Sequence, residues 1–84
     1  MSYQVILKRS AEKELDRLDD RLFSRVTSRL EALETDPRPP DIKKLSGQES
    51  YRIRVGDYRI LFEIDDAAKR VLVFAVRHRR ESYR

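Results

Sequence analysis

The chemistry this sequence can support is concentrated in its arginines. Arg52 and Arg54 alternate with Tyr51, Ile53 and Val55, and Arg59 follows just beyond Gly56-Asp57. Arg77 stands after the apolar run Val71 to Val76, and His78, Arg79, Arg80 and Tyr83 come next. A guanidinium presents a planar fork of donors that fits phosphate or carboxylate, and it keeps its proton at any ordinary pH. It can hold an anion and stabilise charge that develops on it, often the largest catalytic contribution. It does not shuttle protons, but two neighbours do. Imidazole titrates near neutrality, and nearby cations favour a phenolate while they disfavour an imidazolium. His78, between Arg77 and Arg79, is therefore a candidate neutral base, and Tyr83 a candidate phenolate base. Such a site suits RNA, whose ribose 2′-hydroxyl can attack the adjacent phosphorus to give a 2′,3′-cyclic phosphate and a 5′-hydroxyl. DNA lacks that hydroxyl. The plainer readings are a surface histidine in a basic tail and a tyrosine used for packing or capping. Glu63 falls toward the far end of its strand and takes no role, and no base is placed near Ser10.

Composition narrows the field. The 84 residues are 40% charged and 39% hydrophobic, enough apolar content for one modest core over residues 1–84. There is no cysteine, which excludes a disulfide scaffold, a Cys-ligated metal and thiol catalysis. One histidine argues against a His-rich metal site, so no metal and no cofactor is expected. The longest apolar run is far short of a membrane span. Met1 to Gln4 lacks a basic segment leading into an apolar one. A soluble, cytoplasmic protein without membrane contact is expected. The formal charge of +4 is uneven: residues 1–36 carry seven Lys/Arg against eight Asp/Glu, and residues 37–84 carry twelve against seven. The excess falls in the C-terminal half, either as a solvated basic surface or as an anion-binding one.

The elements that must position these residues read as β-α-α-β-β-β. Tyr3, Val5 and Leu7 alternate as a first strand. Ser10 stands as an N-cap, with Glu12 and Glu14 in the first turn. Ala11, Leu15, Leu18 and Leu22 recur at helical spacing. Asp19-Asp20 offers a break and a second N-cap, so that a second helix, or the same helix kinked at the aspartates, carries the stripe Leu22, Phe23, Val26, Leu30 and Leu33. Pro37 ends it near Thr35-Asp36. A stiff Pro37-Arg38-Pro39-Pro40 segment leads through Lys43 and Lys44 to a turn at Ser46-Gly47. Tyr51–Val55 and Tyr58–Ile64 form a hairpin around Gly56-Asp57. Asp65–Lys69 is a loop, and Arg70–Arg77 is an interior strand, apolar on both faces. The fold class is α+β, with two layers: helices packed on one face of a mainly antiparallel sheet.

The hairpin register sets Val55 against Tyr58, Arg54 against Arg59, Ile53 against Ile60 and Arg52 against Leu61. Two arginines directly opposite destabilise a sheet, so packing gives no reason for this pairing and an anionic ligand does. A five-residue loop then pairs Ile64 with Arg70, Phe62 with Leu72, and Arg59 with Ala75. Leu72, Phe74 and Val76 fall in the core, and Arg77 joins Arg54 and Arg59 on the exposed face. A one-residue slip would reverse these assignments.

Lys44-Leu45-Ser46-Gly47, Tyr51-Arg52-Ile53-Arg54-Val55-Gly56-Asp57-Tyr58-Arg59-Ile60 and Arg77-His78-Arg79-Arg80-Glu81-Ser82-Tyr83 resemble the RelE/ParE toxin superfamily of type II toxin–antitoxin systems. The likeness covers nearly the whole chain, and the closing motif resembles the RelE-like branch. It implies a microbial-RNase-like toxin that inhibits translation by cutting mRNA in the ribosomal A site, without a metal. It also implies a cognate antitoxin that covers the basic face, ribosome and mRNA as further partners, and DNA contact only through the antitoxin complex. By position, Arg59 and Arg77 match arginines at the scissile phosphate, and Tyr83 matches a tyrosine that activates the 2′-hydroxyl. His78 falls where some relatives differ. Arg52 and Arg54 match a basic pair that is lysine in the best-known RelE-type enzyme; arginine there shifts proton transfer to Tyr83 and His78. The RNA-binding set is Arg52, Arg54, Lys43, Lys44, Arg79 and Arg80. Two other readings stay open: a ParE-like inhibitor of DNA gyrase without nuclease activity, and an inactive antitoxin-binding module.

Overall fold

The computed structural model describes residues 2–45 and 49–80, so the turn expected at Ser46-Gly47 and the Glu81-Ser82-Tyr83 segment lie outside the described residues. Strand β1 (Gln4–Leu7) leads into helices α1 (Arg9–Asp16) and α2 (Asp20–Thr35). Strands β2 (Lys43–Lys44), β3 (Ser50–Val55), β4 (Tyr58–Asp65) and β5 (Arg70–His78) follow. The sheet order is β1-β5-β4-β3-β2, with β1 parallel to β5 and the other neighbours antiparallel. This is the expected α+β architecture with one short strand, β2, added at the edge.

Helix α2 begins and ends where local chemistry places it. The Asp19 side chain accepts the Leu22 N–H at 2.8 Å, satisfying a donor that the first turn leaves open. Asp36 is extended (φ −138°, ψ 94°), as a residue before proline must be. At α1 the expectation shifts. Lys8 holds the N-cap position without a side-chain bond, and Ser10 lies inside the helix. The helices bury Ala11, Leu15, Val26, Leu30 and Leu33 against Tyr51, Ile53, Val55, Ile60, Phe62 and Ile64 of the sheet. Phe23, placed in the core stripe from its spacing, is 39% exposed. It sits one position off the i, i+4 row formed by Leu22, Val26 and Leu30, and that step of about 100° carries it toward solvent.

The β3–β4 register is as expected, from Val55 opposite Tyr58 to Arg52 opposite Leu61. Gly56, at φ 58°, carries the left-handed backbone of the two-residue loop. The β4–β5 hairpin corrects the sequence reading twice. Asp65 pairs with Arg70, so the loop holds four residues, with Lys69 at φ 56°. That one-residue change turns Val71 and Val73 into the core and leaves Leu72 and Phe74 half-buried on the other face. A β-bulge then interrupts the ladder. Phe62 pairs with Val73 but Leu61 pairs with Ala75, so Phe74 is the extra residue. The bulge reverses the parity again, which returns Val76 to the core and sends Arg77 outward.

A polar staple closes the end of the molecule opposite the β3–β4 turn. Arg38 makes a bidentate bridge to Asp66 at 2.9 and 3.1 Å, and the Tyr3 hydroxyl donates to Asp66 Oδ1 at 2.6 Å. The Arg38 guanidinium also lies 5.5 Å from the centre of the Tyr51 ring. Arg38 first, and then the Tyr3 hydroxyl, hold the Asp66 carboxyl down at about 2, below its ordinary 3.8. The same bond raises the Tyr3 phenol. A carboxyl depressed on folding adds stability above its unfolded pKa, and that stability is lost as pH falls through the folded value. The melting temperature should therefore fall between about pH 4 and pH 2 more steeply in the wild type than in Asp66→Asn. Parallel profiles would show that the staple adds nothing.

Candidate nucleic-acid interface

Arg54, Arg59 and Arg77 stand in one cross-strand row on the sheet face turned away from the helices. Arg59 is directly opposite Arg54 on β3 and directly opposite Arg77 on β5. The convergence is tighter than expected from sequence, where Arg59 faced Ala75. The shorter loop and the bulge together move β5 by two residues, which keeps the face and aligns the row. Arg59 is only 8% exposed, a buried cation in a sheet position that places like charges on either side. Burying a charge between like charges is costly.

The neighbouring row on this face contains Lys43, Arg52, Leu61 and Ala75. Lys43 thus extends the basic surface. Lys44 pairs with Tyr51 on the alternate phase, and its ammonium is 3.7 Å from Glu49. Arg79 is held at the turn, where its N–H donates to the Asp57 carbonyl at 2.8 Å. Arg79, with Arg54, Gly56, Asp57, Tyr58 and Arg59, lines a cleft of about 90 Å³. The Arg80 N–H donates to His78 Nδ1 at 3.3 Å, and Arg80 does not line that cleft.

His78 lies on the other side of the sheet. It pairs with Tyr58, whose ring packs against the core, and the two rings meet edge to face at 5.4 Å. Alternation makes this unavoidable: the residue after Arg77 must face the opposite way. Tyr83 lies outside the described residues.

Sequence reasoning gave no site role to Glu14. Strand β1 covers β5 only as far as Val73, so the Val76 N–H has no strand beside it. Glu14 Oε1, from α1, accepts that N–H at 2.9 Å, and Oε2 lies 3.5 Å from Arg77 Nε. The carboxylate thus closes an open edge and occupies one side of Arg77, leaving its Nη nitrogens for an anion. The sequence signal was slight: Glu14 lies beside Leu15, at the border of the buried stripe. Among the described residues no cluster of three His, Asp or Glu side chains is arranged to hold a metal, and no helix is long and apolar enough to cross a membrane.

Residues 5–83 match the family model of the ParE toxin of type II toxin–antitoxin systems. The chain belongs to this family. Solved structures in the wider RelE/ParE superfamily share its fold. The toxin–antitoxin complex RelBE2 from Mycobacterium tuberculosis contains a chain 27% identical, with TM-score 0.82, covering 93% of this chain and 99% of that one. The archaeal RelE–RelB complex from Pyrococcus horikoshii contains one 28% identical, with TM-score 0.85, covering 94% and 97%. The isolated E. coli RelE toxin matches with TM-score 0.82 at 22% identity, over 92% of this chain and 84% of its own, a likeness of fold. No curated protein matches the sequence. As a RelE/ParE toxin, the chain presents its arginine row on a mixed sheet of the kind these structures share.

Proposed function

We propose that this toxin is a ribosome-dependent endoribonuclease that cuts translated mRNA and so stops translation. The observation that carries the reading is the row Arg54, Arg59 and Arg77 on one face, with Arg59 buried between two other cations. Like charges directly across neighbouring strands repel, and a phosphodiester bound across the row offsets that repulsion.

In this reading Arg59 and Arg77 hold the non-bridging oxygens of the scissile phosphate. They stabilise the charge that builds there as the 2′-oxygen bonds to phosphorus and the bond to the 5′-oxygen breaks. Arg52, Arg54, Lys43 and Arg79 grip the flanking backbone. The 2′-hydroxyl proton must go to a base, and the leaving 5′-oxygen takes its proton from solvent water. With the His78 ring turned to Tyr58, we assign the first transfer to Tyr83, four residues beyond Arg79. The residues supply this chemistry without a metal. The site would act where translating ribosomes are, in the cytoplasm. RelE-type relatives are solved bound to RelB antitoxins. A cognate antitoxin with an acidic or amphipathic segment fits the basic face here, and operator DNA would be reached only through that complex.

The family model favours a second reading, because its description is of ParE toxins. A ParE-like chain would bind DNA gyrase and leave RNA intact. Primer extension on a translated message, run beside a gyrase supercoiling assay, separates the two. Cuts that appear only with ribosomes support the nuclease. Loss of supercoiling without RNA cuts overturns it in favour of gyrase inhibition, and neither activity leaves an antitoxin-binding module.

A further inference from the structure

The basic surface does not stop at the sheet. A second cleft, of about 350 Å³, lies between α2 and the end of β3, lined by Ser24, Arg25, Ser28, Arg29, Arg54 and Val55. Its floor is made by helical spacing: Ser24 and Ser28, and Arg25 and Arg29, are two i, i+4 pairs on adjacent tracks of α2. Three guanidinium groups and two hydroxyls converge there, and among the described residues no carboxylate lines it. Arg29 is tied to Asp41 through Nη2, at 2.9 Å to each carboxylate oxygen. Arg25 has no ion pair among the described residues, so Asp41 offsets only the Arg29 charge in this cleft.

Two observations join this cleft to the arginine row. Arg54 lines both clefts. Gly56 lines the first, and a Cβ placed on it would lie 3.6 Å from Arg25 Nη1, so Arg25 reaches over the β3–β4 turn to the edge of that cleft. A cationic path therefore runs from Arg77 and Arg59, over Arg54, to Arg25 on the helix.

We propose that the α2–β3 cleft is a second phosphate-binding site, which takes a backbone phosphate of the same RNA strand that the arginine row holds. Arg25 and Arg54 contact the phosphate, and the Ser24 and Ser28 hydroxyls donate to its oxygens. A single strand suits the path because it can bend from the sheet face over the turn, and because a groove of cations tracks a backbone without reading its bases. The inference rests on the nuclease reading for the identity of its ligand, and it adds a site on α2.

The test is the affinity of single-stranded RNA for the intact toxin, using a trinucleotide and a strand of about twelve nucleotides. Wild type, Arg25→Ala and Arg59→Ala are compared over a range of salt. Arg25→Ala should weaken the longer strand by roughly 5- to 10-fold and flatten its log–log salt slope by about 0.7, the value for one phosphate contact on a single strand. The trinucleotide should bind that variant as it binds wild type. Arg59→Ala should weaken both RNAs. Arg25 is exposed, so its melting temperature should not move. If Arg59→Ala weakens both strands and Arg25→Ala weakens neither, the second site is wrong and the arginine row stands. If Arg25→Ala weakens the two RNAs equally, Arg25 belongs to the first site, and a separate cleft is excluded. If Arg59→Ala changes nothing, the row does not hold RNA, and both readings fall.

Discussion

Arg77→Ala should lower the single-turnover rate of ribosome-dependent mRNA cleavage by roughly 100-fold or more, while affinity for the message falls by less than about 10-fold. The split follows from where the charge is. In the ground state the scissile phosphate carries one negative charge. As the 2′-oxygen adds and the 5′-oxygen leaves, more charge gathers on the non-bridging oxygens, and donors already aimed there gain more than they gained in binding. Arg77 suits the experiment because its side chain is 47% exposed and its loss leaves the core intact. Glu14 engages its Nε, so what the substitution removes is an oriented Nη edge rather than a free surface charge. Arg59→Ala should act in the same direction. Arg59 is buried, so its rate must be read beside a melting curve. Equal losses in rate and affinity would assign the arginines to uniform binding, and an unchanged rate would remove them from the reaction.

Phe62→Ala should destabilise the fold by about 3–5 kcal/mol, whereas Phe23→Ala should cost less than about 1 kcal/mol. Phe62 is fully buried and stacks at 6.0 Å on Tyr51, in the layer between sheet and helices. It also sits at the bulge, paired with Val73 where the ladder shifts, so its ring fills the place where β5 changes phase. Truncation removes the transfer free energy of the ring and leaves a cavity that a small core closes only in part. A chain of this length has a total stability of about 5–10 kcal/mol, so the loss is a large fraction of the whole. Each kcal/mol moves the melting temperature of such a domain by about 4–8 °C. The two melting temperatures should therefore separate by more than about 10 °C. Equal shifts for the two phenylalanines would contradict the core assigned here.

The two phenylalanines also show how far sequence reaches. Both lie on hydrophobic patterns. Period-two alternation places Phe62 without ambiguity, because a strand has only two faces. On a helix the apolar stripe has a width, and one step of about 100° decides whether Phe23 lies on its edge or outside it. The β3–β4 register was legible because Gly56-Asp57 fixes a short loop between two clearly alternating strands. The β4–β5 register was not, because Arg70 to Arg77 is apolar in nearly every position and alternation carries no signal there. The four-residue loop and the extra Phe74 are settled by how β5 packs between β1 and β4.

The sequence by itself determined the layers, the hairpin around Gly56, and the supply of arginines, since local spacing and turn chemistry act over a few residues. Its charge count assigned the basic excess to the C-terminal half. Only the tertiary structure brought Arg25 and Arg29, from the half with no net positive charge, beside Arg54, and set Glu14 against Arg77 while turning His78 to Tyr58. Those contacts join residues far apart in the chain. They depend on how α1 and α2 lie across the sheet and on the parity of one bulged strand, which no local pattern encodes.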